Sequence, residues 1–361
     1  MSKLILKNVM LRGELTDIRT ENGKITAIGK CAEDGVDMGG LKIYPGLIDI
    51  HSHGCMGHDA ADGDGTLGIM ADYQLSHGTT TWYPTTGTMP KDETYRVLSI
   101  PLDIGHGANL PGYHMEGPFL HPKKRGAHRE DYLNAPKLQW ILDLPLIKRV
   151  TLAPELPGAK EIIEKAGVQV TIGHTDADYD TAVGAMKAGA NCLTHTFNAM
   201  NGIHHRNPGP IPAAMDCPWV YTELISDGFH VHPAVVRLLV RGMGYDRVIL
   251  VSDAIRSAGL PDGEYESNGL DITVRNRQAY TSDGTIAGSN TLLFGCVKSA
   301  ISFGIPEEEA VKMATENPAR LMGLNKGKVE VGYDAEFILV DGDFNLKNVV
   351  VRGELYPARE D

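Results

Sequence analysis

Short apolar runs recur through the middle of this 361-residue chain, and segments compatible with helices separate most of them. Apolar runs of this length, bounded by turn residues, predict buried strands. Strands that alternate with helices predict a parallel sheet joined by crossover connections, and eight such strands close a (β/α)8 barrel of the TIM type. The predicted strands are 46–50, 79–83, 110–115, 149–153, 168–172, 191–194, 220–225 and 247–251.

The segments between and after these strands complete the predicted architecture. Helices are expected at 158–166, 180–188, 233–241 and 306–314, and the polar, glycine-containing stretch 259–282 predicts an excursion in the form of a hairpin. Short β-prone pieces separated by turn signals occur at both ends of the chain. The sequence therefore predicts a small β-sandwich domain built from residues 1–45 and 327–361, around a catalytic barrel formed by residues 46–326.

Charge and cysteine content indicate which kinds of binding partner and which cellular compartment the chain is suited to. The formal net charge of −12 argues against nucleic acid and anionic membranes, while a local basic pocket can still bind a small anion. The five cysteines are odd in number and lack C-x-x-C spacing, which is typical of reduced thiols rather than a disulfide framework. Neither a long apolar leader nor a run approaching membrane-crossing length is evident. The sequence predicts a cytoplasmic protein with a small-molecule partner.

Two histidines follow the first predicted barrel strand. His51 and His53 are separated by one residue, and alternate strand residues point to the same side. Two imidazoles at a strand tip begin a site for Zn, Fe or a similar ion. An isolated His-x-His is more often a hydrogen-bonded pair beside a turn, so the remaining strand ends decide the interpretation.

Further histidines and carboxylates follow most of the other predicted strands. Catalytic groups of TIM-type barrels lie at the carboxyl ends of the strands. Each residue alone has a structural explanation, for example a helix N-cap, but their coincidence on one face favours a metal site. The residues at these strand ends are His51, His53, Glu116, His174, His195, Asp227, His230 and Asp253.

Part of this set predicts hydrolytic chemistry. Glu116, His174 and His195 form a three-ligand set that leaves one metal position for water. A divalent cation lowers the pKa of bound water to about 7 and supplies hydroxide at neutral pH. Asp253 is expected to accept the proton of that water and later pass it to the leaving group.

Longer motifs add a family resemblance over almost the whole chain. Pro45-Gly-Leu-Ile-Asp-Ile-His-Ser-His is similar to a motif of the amidohydrolase superfamily. Glu116-Gly-Pro-Phe-Leu and Asn198-Ala-Met are narrower, and with them the chain most closely resembles the N-acetylglucosamine-6-phosphate deacetylase family. The resemblance implies a metal-dependent barrel enzyme of amino-sugar catabolism. It would hydrolyse the acetamide of N-acetyl-D-glucosamine 6-phosphate to D-glucosamine 6-phosphate and acetate.

The same resemblance implies roles for residues at the metal. Glu116, His174 and His195 match the family's principal metal ligands, and Asp253 matches its catalytic aspartate. His128 matches a histidine that polarises the substrate carbonyl. The metal is expected to be Zn²⁺, with Fe²⁺ as the alternative.

The count of metal ions stays open in the sequence. Some members of the family lack the His-x-His pair and bind a single metal. This chain has His51 and His53, so one or two ions per subunit are compatible with it, the second bridged by Glu116.

Substrate-binding roles are implied as well. Asn198 and Ala199 match residues that contact the sugar, while Arg206 and His230 match groups that hold the 6-phosphate. A guanidinium suits phosphate because it offers a planar fork of donors. Because the family can supply this arginine across a dimer interface, a homodimer is expected, and whether Arg206 acts in its own subunit stays open.

Three alternatives remain at this stage. The galacto epimer differs from N-acetylglucosamine 6-phosphate at one hydroxyl, which the sequence does not distinguish. Another amidohydrolase acting on a different N-acyl or cyclic amide is a more distant alternative. A metal-dependent scaffold or sugar-phosphate sensor on a degenerate barrel would be expected to lose its general base, and Asp253 is present.

Overall fold

A computed structural model describes residues 3–63, 65–267 and 269–359. Residues 1, 2, 360 and 361, the outermost parts of the predicted terminal domain, lie outside the described residues, as do residues 64 and 268. Five strands come first: β1 (Lys3–Leu11), β2 (Glu14–Glu21), β3 (Lys24–Ile28), β4 (Val36–Asp37) and β5 (Lys42–Pro45). The turn between β2 and β3 consists of Asn22 and Gly23, whose φ angles of +50° and +72° suit the two-residue turn of a twisted hairpin.

The central part of the chain contains eight parallel strands with helices between them. The eight parallel strands are β6 (Leu47–Ser52), β9 (Thr79–Thr86), β10 (Tyr113–Glu116), β11 (Ile147–Leu152), β12 (Gln169–Ile172), β13 (Cys192–Leu193), β14 (Tyr221–Leu224) and β15 (Val248–Leu250). Between β6 and β9 lies a small antiparallel ribbon of β7 (Gly54–Cys55) and β8 (His58–Asp59). The helices of this central part are α1 (Thr66–Ser76), α2 (Lys91–Val97), α3 (Leu138–Leu142), α4 (Ala159–Lys165), α5 (Tyr179–Ala188), α6 (Pro210–Asp216) and α7 (Pro233–Met243).

These strands form the predicted (β/α)8 barrel. Their order is β6-β9-β10-β11-β12-β13-β14-β15, and every ladder is parallel. The two end strands meet where the Asp253 N–H donates to the His51 carbonyl at 2.9 Å. This contact brings the ends of the first and last barrel strands together.

A second sheet follows the barrel's last strand. It comprises β16 (Gly263–Ser267), β17 (Leu270–Arg275), β18 (Gln278–Thr281) and β19 (Ile286–Ser289), all antiparallel. The predicted hairpin is therefore a four-stranded sheet that continues beyond residue 282. Ile255, Ile272, Val274 and Ala279 share a small apolar core there, which two isolated strands would bury poorly.

The end of the chain supplies α8 (Leu293–Ser302), α9 (Glu307–Met313), α10 (Glu316–Met322), β20 (Phe337–Val340), β21 (Leu346–Val351) and β22 (Glu354–Pro357). β20 pairs with β5, so strands from both ends of the chain lie in one eight-stranded sheet. Leu6, Ile18 and Phe337 lie in its buried core. The sheet contains strands from both termini, as predicted, while the domain limits at 45/46 and 326/327 stay a prediction. Across the described ranges, the structure has no helix of sufficient length and apolarity to span a bilayer.

The alternation of β6 directs its histidine into the barrel. Ile48 and Ile50 lie on one face of β6 and belong to an apolar cluster that includes Ala319 of α10. Because successive strand residues point to opposite faces, Asp49 and His51 point the other way. The apolar residues of this strand therefore determine the direction of its first imidazole.

Candidate metal centre

Three side chains from three strand ends meet at the carboxyl end of the barrel. Glu116 is the last residue of β10, while His174 and His195 lie just after β12 and β13. Glu116 Oε1 is 3.2 Å from His174 Nε2 and 3.1 Å from His195 Nε2, and the two Nε2 atoms are 2.9 Å apart. These atoms form a group that could hold a metal ion.

The protonation of this group favours a cation. His174 Nδ1 donates to the Lys124 carbonyl at 2.8 Å, and burial lowers the pKa of His174 to about 4. Its ring is therefore neutral at pH 7, with a lone pair on Nε2. His174 Nε2 and Glu116 Oε1 are then both acceptors, and His195 has at most one N–H to place between them. Ligand atoms about 2.0–2.1 Å from a tetrahedral zinc lie about 3.3 Å apart, so these residues fit a metal.

A second group adjoins the first through Glu116. His51 Nε2 is 3.3 Å from Glu116 Oε1, and His53 Nε2 is 3.1 Å from Glu116 Oε2. Asp253 Oδ1 lies 3.5 Å and 3.3 Å from the same two nitrogens. His51 Nε2 is buried without a hydrogen-bond partner, so this donor set, which shares Glu116 with the first group, could hold a second cation.

The electrostatics of the site favour positive charge. Burial opposes ionisation of Glu116, but the charge of His51 and hydrogen bonds from neighbouring imidazoles hold its pKa well below its usual range. Burial also opposes protonation of His53, yet Asp253 and Glu116 raise its pKa to about 10. For Asp253, His51 and His53 outweigh the effect of burial and lower the pKa to about 2. Both carboxylates are therefore ionised at neutral pH.

Several site residues adopt left-handed backbone conformations. The φ angles of His174, His195 and Asp253 are +47°, +25° and +48°, and Ala199 is at +49°. Such conformations cost on the order of 1–3 kcal/mol each and cluster at functional sites. The surrounding barrel holds these residues in place despite that cost.

A cavity of 690 Å³ opens above both groups. Its wall includes His128, Asn198, Ala199 and His230, as well as the predicted metal ligands other than His51. His128 Nδ1 accepts from the Thr88 N–H at 3.2 Å, so a neutral His128 has its proton on Nε2. Nε2 lies 3.4 Å from Glu116 Oε2, beside the metal groups.

The two predicted phosphate residues lie in different places. His230 lines the cavity, and its Nδ1 is 2.7 Å from Asp227 Oδ2. Burial alone would lower the pKa of His230, but Asp227 outweighs it and raises that pKa. Arg206 is exposed and lines a separate hollow with His204, Asp178 and Tyr179. Within one chain, the structure does not bring Arg206 to the cavity.

Sequence reasoning missed two charged residues beneath the site. Glu223 in β14 and Arg149 in β11 are fully buried and form an ion pair inside the barrel. Their only sequence signal is a charged residue within or at the edge of an apolar run. Sequence reasoning also missed the edge of the four-stranded sheet, where residues 285–288 reach the cavity wall.

Comparison with known proteins gives this arrangement a family. The model described as the amidohydrolase family matches residues 43–356. The chain belongs to the amidohydrolase family. Within it, the expected resemblance to the N-acetylglucosamine-6-phosphate deacetylase family is confirmed. The chain is 35% identical to N-acetylglucosamine-6-phosphate deacetylase of Vibrio furnissii, over 93% of this chain and 89% of that one.

Two further relatives bear on the substrate. An N-acetylgalactosamine-6-phosphate deacetylase of Escherichia coli O157:H7 is 30% identical, over 94% of each chain. The structure of an aspartate-to-alanine mutant of N-acetyl-D-glucosamine-6-phosphate deacetylase from Mycobacterium smegmatis, in complex with N-acetyl-D-glucosamine 6-phosphate, has a TM-score of 0.91. That match covers 98% of this chain and 99% of the other at 30% identity.

Proposed function

We propose that this amidohydrolase removes the acetyl group of N-acetyl-D-glucosamine 6-phosphate, giving D-glucosamine 6-phosphate and acetate. The observation that carries the proposal is the convergence of Glu116, His174 and His195 beside Asp253, at the floor of a 690 Å³ cavity. Near-complete overlap with deacetylases of this substrate supports the sugar phosphate. A role in amino-sugar catabolism follows from the products.

The proposed reaction adds water to the acetamide carbonyl carbon and breaks the C–N bond. Asp253 is ionised at neutral pH, accepts one proton from the attacking water, and returns it to the leaving nitrogen. His128 donates from Nε2 to the carbonyl oxygen as negative charge develops there. The second proton of the water is released when the new carboxylic acid ionises, and the amine takes it up. Acetate and the protonated amine are the products, so atoms and protons balance.

Glu116, His174 and His195 would hold the first divalent cation, and His51, His53 and Glu116 the second. When bound, the cation supplies a Lewis acid and lowers the pKa of water to about 7. Zn²⁺ is the proposed ion because imidazole and carboxylate are its usual ligands in catalytic sites. Fe²⁺ accepts the same donors and is the alternative.

His230 is proposed to hold the 6-phosphate, because its raised pKa keeps positive charge at the cavity wall. Arg206 is proposed to complete the clamp from a neighbouring subunit, since it lies outside the cavity of its own chain. Asn198 and Ala199 line the same cavity as the metal groups, which supports contact with the sugar. We accordingly propose a homodimer that acts in the cytoplasm.

The test measures acetate release by the zinc-loaded protein from three compounds: N-acetylglucosamine 6-phosphate, its galacto epimer and unphosphorylated N-acetylglucosamine. Preference for the first compound supports the proposal. Preference for the galacto epimer would instead favour the activity named for the E. coli relative. No release from any of them would overturn the assigned substrate class.

Arg206→Gln tests the clamp. A raised KM for the phosphorylated sugar, with little change for the unphosphorylated one, is expected. His205→Gln, on the same exposed loop, is the matched control. An unchanged KM in Arg206→Gln would remove this residue from the site.

A further inference from the structure

Glu223 lies beneath the metal groups rather than among them. It is fully buried in β14, and its Oε2 is 2.9 Å from His51 Nδ1 and 2.9 Å from the His195 backbone N–H. The imidazole of His51 separates Glu223 from Glu116, because opposite ring nitrogens face the two carboxylates. Glu223 is therefore placed to orient a ligand and not to bind the cation itself.

The four histidines of the two groups differ at Nδ1. His51 Nδ1 meets the Glu223 carboxylate, and His174 Nδ1 meets a backbone carbonyl. Among the described residues, Nδ1 of His53 and Nδ1 of His195 have no hydrogen-bond partner. Of these four Nδ1 atoms, only that of His51 faces a carboxylate, and His51 belongs to the second metal group.

We propose that Glu223 is a positioning residue for the second cation: it fixes His51 with the proton on Nδ1 and the lone pair of Nε2 directed at Glu116. An ionised carboxylate can only accept, so the His51 nitrogen facing it must donate. A carboxylate behind a metal-binding imidazole sets the tautomer and raises the basicity of the ligand. The metal chemistry of this inference rests on the proposed function.

Arg149 offsets the cost of burying the charged Glu223 carboxylate inside the barrel. Its guanidinium forms an ion pair with Glu223 Oε1, donates from Nε to Gln169 Oε1 at 2.6 Å, and donates from Nη1 to the Ile50 carbonyl at 3.2 Å. Glu223 thus faces donors on both sides: Arg149 at Oε1, and His51 with the His195 N–H at Oε2. A glutamine offers one acceptor and one donor group, so it cannot satisfy both sides.

The test is a metal titration of Glu223→Gln. Stripped protein is titrated with Zn²⁺ and with Co²⁺, and bound metal is measured by elemental analysis and by the visible absorption of cobalt. Wild type is expected to bind two equivalents. The variant is expected to retain the cation of Glu116, His174 and His195 and to bind the second about 10–100-fold more weakly. His51→Ala should reproduce the selective loss.

A matched control separates positioning from general destabilisation. Glu336→Gln removes another buried carboxylate, paired with Lys326, from outside the metal groups. It is expected to bind both cations as wild type does. If Glu223→Gln fails to fold because Arg149 is left unpaired, Glu223→Gln with Arg149→Met removes both charges and should show the same selective loss.

Unchanged affinity for both cations in the Glu223 variants would overturn the inference. Equal weakening of the affinity for both cations would overturn it too, as would a wild type that binds only one equivalent of metal at saturation. The proposed function fails on a separate measurement, acetate release by the loaded wild type. If the loaded wild type releases no acetate but Glu223→Gln selectively loses affinity for the second cation, the assigned substrate is wrong and the positioning role of Glu223 stands.

Discussion

The two ends of the barrel each bury a carboxylate, and the groups around those carboxylates differ. Near the amino ends of the strands, Glu336 accepts from Asn109 at 2.6 Å, from Thr81 at 3.2 Å and from Lys326. At the carboxyl ends, five imidazole nitrogens lie within 3.4 Å of Glu116, and the Asp253 carboxylate faces two of them.

The hydrogen-bond partners of the two carboxylates distinguish a structural polar cluster from a functional one. Every carboxylate oxygen of Glu336 has a donor, so that network is complete without a ligand. Around Glu116, the buried Nε2 of His51 has no hydrogen-bond partner, and the pKa values indicate ionised carboxylates. Two ionised carboxylates that face several buried imidazoles at ligand spacing, one of them with a ring nitrogen that lacks a hydrogen-bond partner, indicate a site for a cation.

The largest expected effect comes from metal removal. Chelation should abolish acetate release, because the cation supplies the Lewis acid and the activated water, and it should lower the melting temperature, because metal binding adds to the free energy of folding. Activity and thermal melting are measured before and after Zn²⁺ is restored. An apoprotein with full activity would break the contrast between the two ends of the barrel.

Asp253→Asn tests proton transfer at the metal end. The amide cannot accept the proton of water, so kcat is expected to fall by about 10²–10⁴-fold while bound metal is retained. Steady-state kinetics and elemental analysis measure the two quantities. Asp283→Asn, at the cavity wall, is the control and should have little effect. Normal turnover in Asp253→Asn would remove the proposed base.

Glu336→Gln tests the complete network at the other end. It leaves the largely buried Lys326 without its charged partner, and a loss of about 2–3 kcal/mol in the free energy of unfolding is expected. Urea unfolding measures the loss, while kcat and metal content should match wild type. A large loss of kcat in folded Glu336→Gln would show that the two ends are coupled.

Asp227→Asn is expected to have the smallest effect. Asp227 raises the pKa of His230, so the positive charge persists above the ordinary value of 6.5 and is lost as pH rises through the raised pKa. Without that carboxylate, burial lowers the pKa and the charge is lost at lower pH. The KM for the phosphorylated sugar should rise roughly 3–10-fold near pH 6.5, between the two pKa values, and the difference should disappear at lower pH, where both imidazoles are charged.

The unphosphorylated sugar is the control for this variant, because it has no anion for His230 to bind. Its KM should not depend on Asp227 at either pH. A pH-independent change for both sugars would point to a distorted loop rather than a lost charge.

Much of the barrel follows from local pattern. Each of the eight predicted strands overlaps an observed one, since short apolar runs bounded by turn residues have few alternatives. Strand ends and residue type likewise placed Glu116, His174, His195 and Asp253 on one face. The four-stranded sheet at 263–289 was underestimated, because its small core forms only when the strands pair with one another and with Ile255.

By itself the sequence determined the alternation of strands and helices and the family of the chain. It also determined which side chains are available at one end of the barrel, because all of these depend on periodicity and residue type. Only the tertiary structure decided which imidazole nitrogens face Glu116, that Glu223 lies behind His51, and that Arg206 lies outside its own cavity. These relations join residues far apart in the chain, and closure of the barrel brings them together or holds them apart.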